Sequence, residues 1–141
     1  MIRLSKSIEI IANQNNIEID ILSTNYKNII KNDINNKYLL NNISDFLWEN
    51  LNDSFSIQCE DGWKKVCDFI KSNECLMFFN HYEDDNIIKF NNGYDLYKLL
   101  YEMFAFEFYI TNFKTEYLIC FNHHSCLICS GSAKKWLYLL K

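Results

Sequence analysis

Proline is absent from this chain and glycine occurs only three times. That scarcity leaves no room for the glycine-rich loops that cradle phosphates: neither a P-loop nor a G-x-G-x-x-G spacing occurs. With abundant Asn, Ile, Lys and Tyr, it has the look of an AT-rich coding bias and says little about chemistry. No apolar run approaches the roughly 18 to 20 residues of a membrane-spanning helix. Arg3 and Lys6 give the start the basic residues of a signal peptide, but Glu9 and Asn13-Gln14-Asn15-Asn16 interrupt any apolar core. The expectation is an uncleaved, cytoplasmic N-terminus and no membrane association. An excess of positive charge is missing too. The net charge of -4 divides evenly, with five Lys/Arg against seven Asp/Glu over 1–53 and nine against eleven over 54–141. Nucleic-acid affinity comes chiefly from neutralising phosphates, so nucleic acid is not an expected partner, and a basic protein fits somewhat better. No nucleophile elbow, kinase signature or His-Glu-x-x-His is present, and neither an enzyme nor a cofactor is expected.

What the chain does have is core material. Its 141 residues are 49% hydrophobic and 16% aromatic, enough for a single domain over 1–141. Six cysteines without an export signal are expected as reduced thiols that behave as small buried hydrophobes.

The apolar spacing predicts an α+β fold: a helical N-terminal region over 1–53, then a mostly antiparallel sheet of five to six strands packed with amphipathic helices. Leu4, Ile8 and Ile11 share one helical face, a short alternation follows at 17–21, and 23–40 reads as helical despite its asparagines. Ser44, with Ile43 before it and Trp48 four positions on, predicts a stapled helix over 44–51. Strands are expected at 54–59, 75–79, 87–90, 106–111, 116–122 and 125–130. Helices are expected from the i, i+3, i+4, i+7 stripes Trp63-Val66-Cys67-Ile70, Leu96-Leu99-Leu100-Met103 and Ala133-Trp136-Leu137-Leu140. An echo links Phe79-Asn80-His81 to Phe121-Asn122-His123, each leading from strand to strand to a glycine-opened helix.

Three segments offer chemistry. Cys120, His123, His124, Cys126 and Cys129 are five soft-metal ligands within ten residues, which would suit a zinc-binding sensor. Against this, a hairpin turning at His123-His124 should put Phe121 opposite Cys126, with Cys126 on the other sheet face from Cys120. The histidine pair could instead serve acid–base chemistry in a small hydrolase or nuclease, or simply occupy an exposed turn. Glu83-Asp84-Asp85, beside Tyr82, is the densest acidic run, either a solvated turn or a contact for a basic partner. Ser130-Gly131-Ser132 reads as a helix start rather than an anion site.

The stretch Glu116-Tyr117-Leu118-Ile119-Cys120-Phe121-Asn122-His123-His124-Ser125, followed by Gly131-Ser132-Ala133-Lys134-Lys135-Trp136-Leu137, resembles the C-terminal pattern of small bacterial immunity proteins of polymorphic-toxin and contact-dependent growth inhibition systems. Where that pattern has Asp after Asn-His-His, this chain has Ser125. The resemblance implies a non-catalytic toxin inhibitor in the cytoplasm that binds its cognate toxin domain and blocks its active site. It would do so through Tyr82, Glu83, Asp84, Asp85, His123 and His124 against a basic nuclease.

Overall fold

A computed structural model describes residues 3–40, 46–103 and 106–140. In chain order the elements are α1 (Leu4–Gln14), β1 (Ile19–Ile21), α2 (Thr24–Tyr38), a 3-10 turn at Leu47–Asn50, β2 (Phe55–Gln58), α3 (Gly62–Ile70), β3 (Cys75–Phe78), β4 (Ile88–Phe90), α4 (Gly93–Glu102), β5 (Phe108–Thr111), β6 (Tyr117–Phe121), β7 (Cys126–Gly131) and α5 (Ala133–Leu140). The fold is α+β, with every strand pair antiparallel. The sheet runs β1-β4-β3-β5-β6-β7-β2. Its seventh strand is the short alternation at 19–21, which joins as an edge by pairing Ile19 with Phe90 and Ile21 with Ile88. The N-terminal region is therefore built into the sheet rather than being purely helical.

Strands β3, β5 and β6 are buried along their whole length, which requires a covering layer on each face. One face packs Met77, Phe90, Ile110, Ile119 and Cys129 against Ile8 of α1, Val66 of α3, Leu99 of α4 and Leu137 of α5. The other packs Leu76, Phe78, Tyr109, Leu118, Cys120 and Ile128 against Ile30, Ile34 and Tyr38 of α2, with Leu47 and Trp48 beside them. The asparagine-rich α2 holds as a helix because those three residues fall on one stripe and are buried, and packing outweighs weak propensity. Lys27 and Lys31, one turn apart on α2, both pair with Asp85.

The echo has a topological counterpart: β3–β4–α4 and β6–β7–α5 are both hairpin-plus-helix units, and they flank the central β5. Asn92 caps α4 by accepting from Asp95 N at 2.8 Å. Gly93 lets α4 start against α3, since a Cβ there would stand 2.6 Å from the Cys67 carbonyl oxygen. Gly131 has φ 69°, and a Cβ on it would meet the Glu116 carbonyl and the Tyr38 hydroxyl. The helix expected over 44–51 is only the 3-10 turn, and Ile43 and Ser44 of its staple lie outside the described residues. None of the described helices is long and apolar enough to cross a membrane.

Candidate functional site

The ends of three strands and the 3-10 turn meet at one end of the sheet. Asn80 follows β3, Glu107 precedes β5, and His123 and His124 form the β6–β7 turn. That turn holds three residues, His123, His124 and Ser125, closed by Asn122 N donating to Cys126 O at 3.1 Å and Ser125 N donating to Asn122 O at 3.0 Å. Ser125 takes the left-handed conformation, φ 57°, that such a loop needs at its last position. The extra residue corrects the register expected for a two-residue turn. Phe121 lies opposite Leu127, not Cys126, and Cys120 faces Ile128.

Cys126 consequently shares a sheet face with Cys120, while Cys129 points to the other. The five soft ligands do not converge, and no group of three or more His, Cys, Asp or Glu could hold a metal ion among the described residues. Burial pushes the thiols of Cys67, Cys75, Cys120 and Cys129 well up, Cys67 to about 12. Such thiols pack and do not attack.

His123 is tied down from below. Its backbone N–H donates to Glu107 Oε1 at 3.0 Å, and its ring Nδ1 lies 2.8 Å from the same oxygen. A carboxylate there requires the proton on Nδ1. Glu107 is only 6% exposed, and its other oxygen accepts from Asn80 Nδ2. The Asn80 side-chain oxygen in turn accepts from the Tyr109 hydroxyl at 2.7 Å and from Leu47 N at 3.2 Å. Tyr109 also accepts from Trp48 N at 3.1 Å. One buried acid thus fixes the turn, the end of β3 and the 3-10 turn together, and its own oxygens are satisfied, which a buried carboxylate demands.

Above this network lies a continuous group of rings. Phe46 contacts Trp48, Tyr82 and His123 at centroid distances of 5.8, 6.1 and 5.4 Å. Trp48 contacts His124 at 6.1 Å, the two histidine rings lie 4.0 Å apart, and His81 adjoins Tyr82 at 6.2 Å. All three histidines of the chain belong to the patch. His81, Tyr82, His123 and His124 are exposed, and Phe46 and Trp48 are half-buried.

The acidic run divides. Asp84 is 4% exposed and accepts from Ser5 N at 2.7 Å and Asn86 N at 3.0 Å, placing its charge at the start of α1. Burial raises its pKa, but the hydrogen bonds from Ser5 and Asn86 and the charge of Arg3 leave it lowered overall. Asp85 is held down to about 2 by hydrogen bonds from Lys27 and Lys31. Glu83 borders the patch and accepts from Asn80 Nδ2 at 3.3 Å. Of the residues expected at a site, the structure gathers Tyr82, Glu83, His123 and His124, sets Asp84 inside the fold, and gives Asp85 to α2. Sequence reading passed over Glu107, Tyr109 and Phe46. The available signal was an acid set among aromatics in Phe106-Glu107-Phe108-Tyr109.

A cavity of about 230 Å³ lies under α2, lined by Ile30, Ile34, Phe78, Ile87, Asn80 and His81 among others, but by neither His123 nor Glu107. Fold and patch together describe an α+β protein with a rigidly mounted aromatic surface. No family model, curated protein or solved structure matches the chain.

Proposed function

We propose that this chain is a non-catalytic immunity protein that binds a cognate bacterial toxin domain and covers its active site. The observation that carries the reading is the exposed patch His81, Tyr82, His123 and His124, with Phe46 and Trp48, mounted on the buried Glu107–Asn80–Tyr109 network. Aromatic residues held still by a buried base are what protein-binding hot spots use, because little side-chain entropy remains to be lost on contact. The resemblance of residues 116–137 to immunity proteins points to the same kind of partner. Glu83 adds negative charge at the border, which suits a basic nuclease.

The test is co-expression with the toxin domain encoded beside this gene. The expected result is a stable complex and restored growth, with Tyr82→Ala and His124→Ala each weakening binding about 10- to 100-fold. Both residues are exposed, so the fold should survive. Full protection by the double variant would remove the patch from the reading, and no complex with an active toxin would remove the reading itself.

A second reading rests on the Glu107–His123 contact of 2.8 Å, the arrangement of an acid orienting a general base. Hydrolysis of RNA, DNA or an ester by the purified chain, abolished by His123→Ala, would favour it over the inhibitor.

A further inference from the structure

Helix α2 does not seat fully on the sheet. Ile30 and Ile34 form one wall of the cavity beneath it, and Phe78 of β3 with Ile87 beside β4 form the other, across about 230 Å³. All four are buried, so the space is a slot between two apolar walls. Protein interiors hold few voids larger than a water molecule, and an empty one costs stability in proportion to its volume. Water gains little between such walls, because it needs about two to four polar partners and those four side chains offer none.

The mouth of the slot is different in kind. Lys31, Asn35, His81 and Asp85 line it and are exposed or half-buried. Its one cation and one anion are spent on each other, Lys31 donating to the Asp85 carboxylate and to the Asp85 carbonyl oxygen at 3.0 Å. The Asn35 amide and the His81 ring, by contrast, hydrogen-bond no described residue. Each can both donate and accept.

We propose that this slot binds a small, flat, uncharged aromatic molecule with one polar group. An apolar cavity of about 150 Å³ takes benzene. One of about 230 Å³ therefore takes about nine non-hydrogen atoms, the size of a fused bicyclic ring. Flatness follows from a helix and a sheet facing each other across the space. Aromatic character follows from Phe78 and Phe79, which both line it, since ring–ring contacts add to plain area burial. A charged ligand is disfavoured, because the pairing of Lys31 with Asp85 leaves no counter-charge free and a buried unpaired charge is costly. One polar group is matched by Asn35 and His81 at the mouth, the usual way a mostly apolar pocket orients what it holds.

Isothermal titration of the whole protein with indole, which has this size and a single N–H, tests the proposal. The expected result is saturable binding of one molecule per chain with a Kd between about 10 µM and 1 mM, and a matching rise in unfolding temperature. Indole-3-acetate, which adds a carboxylate, should bind at least about 30-fold more weakly. Ile34→Phe fills the slot and should abolish binding. Asn35→Ala combined with His81→Ala leaves the buried walls intact, so the circular-dichroism spectrum should be unchanged while binding weakens about 3- to 10-fold. No saturable binding below about 5 mM indole, equal binding of indole-3-acetate, or a folded Ile34→Phe protein or double variant that binds as wild type overturns the inference. Toxin protection is read separately and does not enter these outcomes.

Discussion

Glu107 decides the shape of the patch more than any residue within it. Replacing it with Gln keeps the volume, but a carboxamide nitrogen would then face either the donors of His123 or Asn80 Nδ2, whose orientation Tyr109 and Leu47 fix. Glu107→Gln is expected to cost about 1 to 3 kcal/mol in urea unfolding, and Glu107→Ala more, because buried donors lose their acceptor. An unchanged midpoint would show that the network is not structural. Trp48 offers a contrast. Its indole N–H is buried and has no hydrogen-bond partner among the described residues, so Trp48→Phe removes a donor that none of them satisfies while keeping an aromatic ring. Stability should fall by less than about 1 kcal/mol, or rise, against a loss of about 3 kcal/mol for Trp48→Ala. The histidine pair could be placed on a bend from the sequence because polar residues separate two apolar runs. Its support could not, since Glu107 reaches His123 only after β5 and β6 have paired.

Helix α2 carries two ion pairs, from Lys27 and Lys31 to Asp85. Asp85 has its pKa depressed from 3.8 to about 2, so its pairing with Lys27 and Lys31 contributes stability above the ordinary carboxylate value, and that contribution is lost as pH falls towards 2. Its side chain is 61% exposed, so solvent and salt screen the effect. Asp85→Asn should lie below wild type by less than about 1 kcal/mol at neutral pH. The two thermal-unfolding curves should converge as pH drops from about 4 to 2, or as salt is added. A gap that widens in acid would reverse the assignment. The strands and the three helical stripes after residue 54 were legible because periods of two and 3.6 are local properties. Two features escaped. The three-residue loop that set the register depended on Ser125 accepting a left-handed backbone, which nothing in its type demands. The edge role of Ile19–Ile21 depended on Ile88–Phe90, far along the chain.

At the scale of the whole molecule, three of the six strand pairings join strands that are not consecutive in the chain, β1 with β4, β2 with β7 and β3 with β5. β1 waits for β4, and β2 for β7. Refolding from urea is accordingly expected in milliseconds to seconds rather than microseconds, and a full microsecond recovery of the stopped-flow fluorescence signal would contradict it. The α+β class could be read before any coordinates because class follows from element type. Strand order could not be, because it is fixed by which distant apolar faces find each other.

The pairing of β2 with β7 has a cost during synthesis. Phe55 leaves the ribosome 74 residues before Cys129, the residue it pairs with, which at about 5 to 20 residues per second is several seconds. Throughout that interval the nascent chain carries an uncharged, alternating strand whose mate in β7 is still unmade, the kind of unpaired edge that makes partly folded chains prone to aggregate.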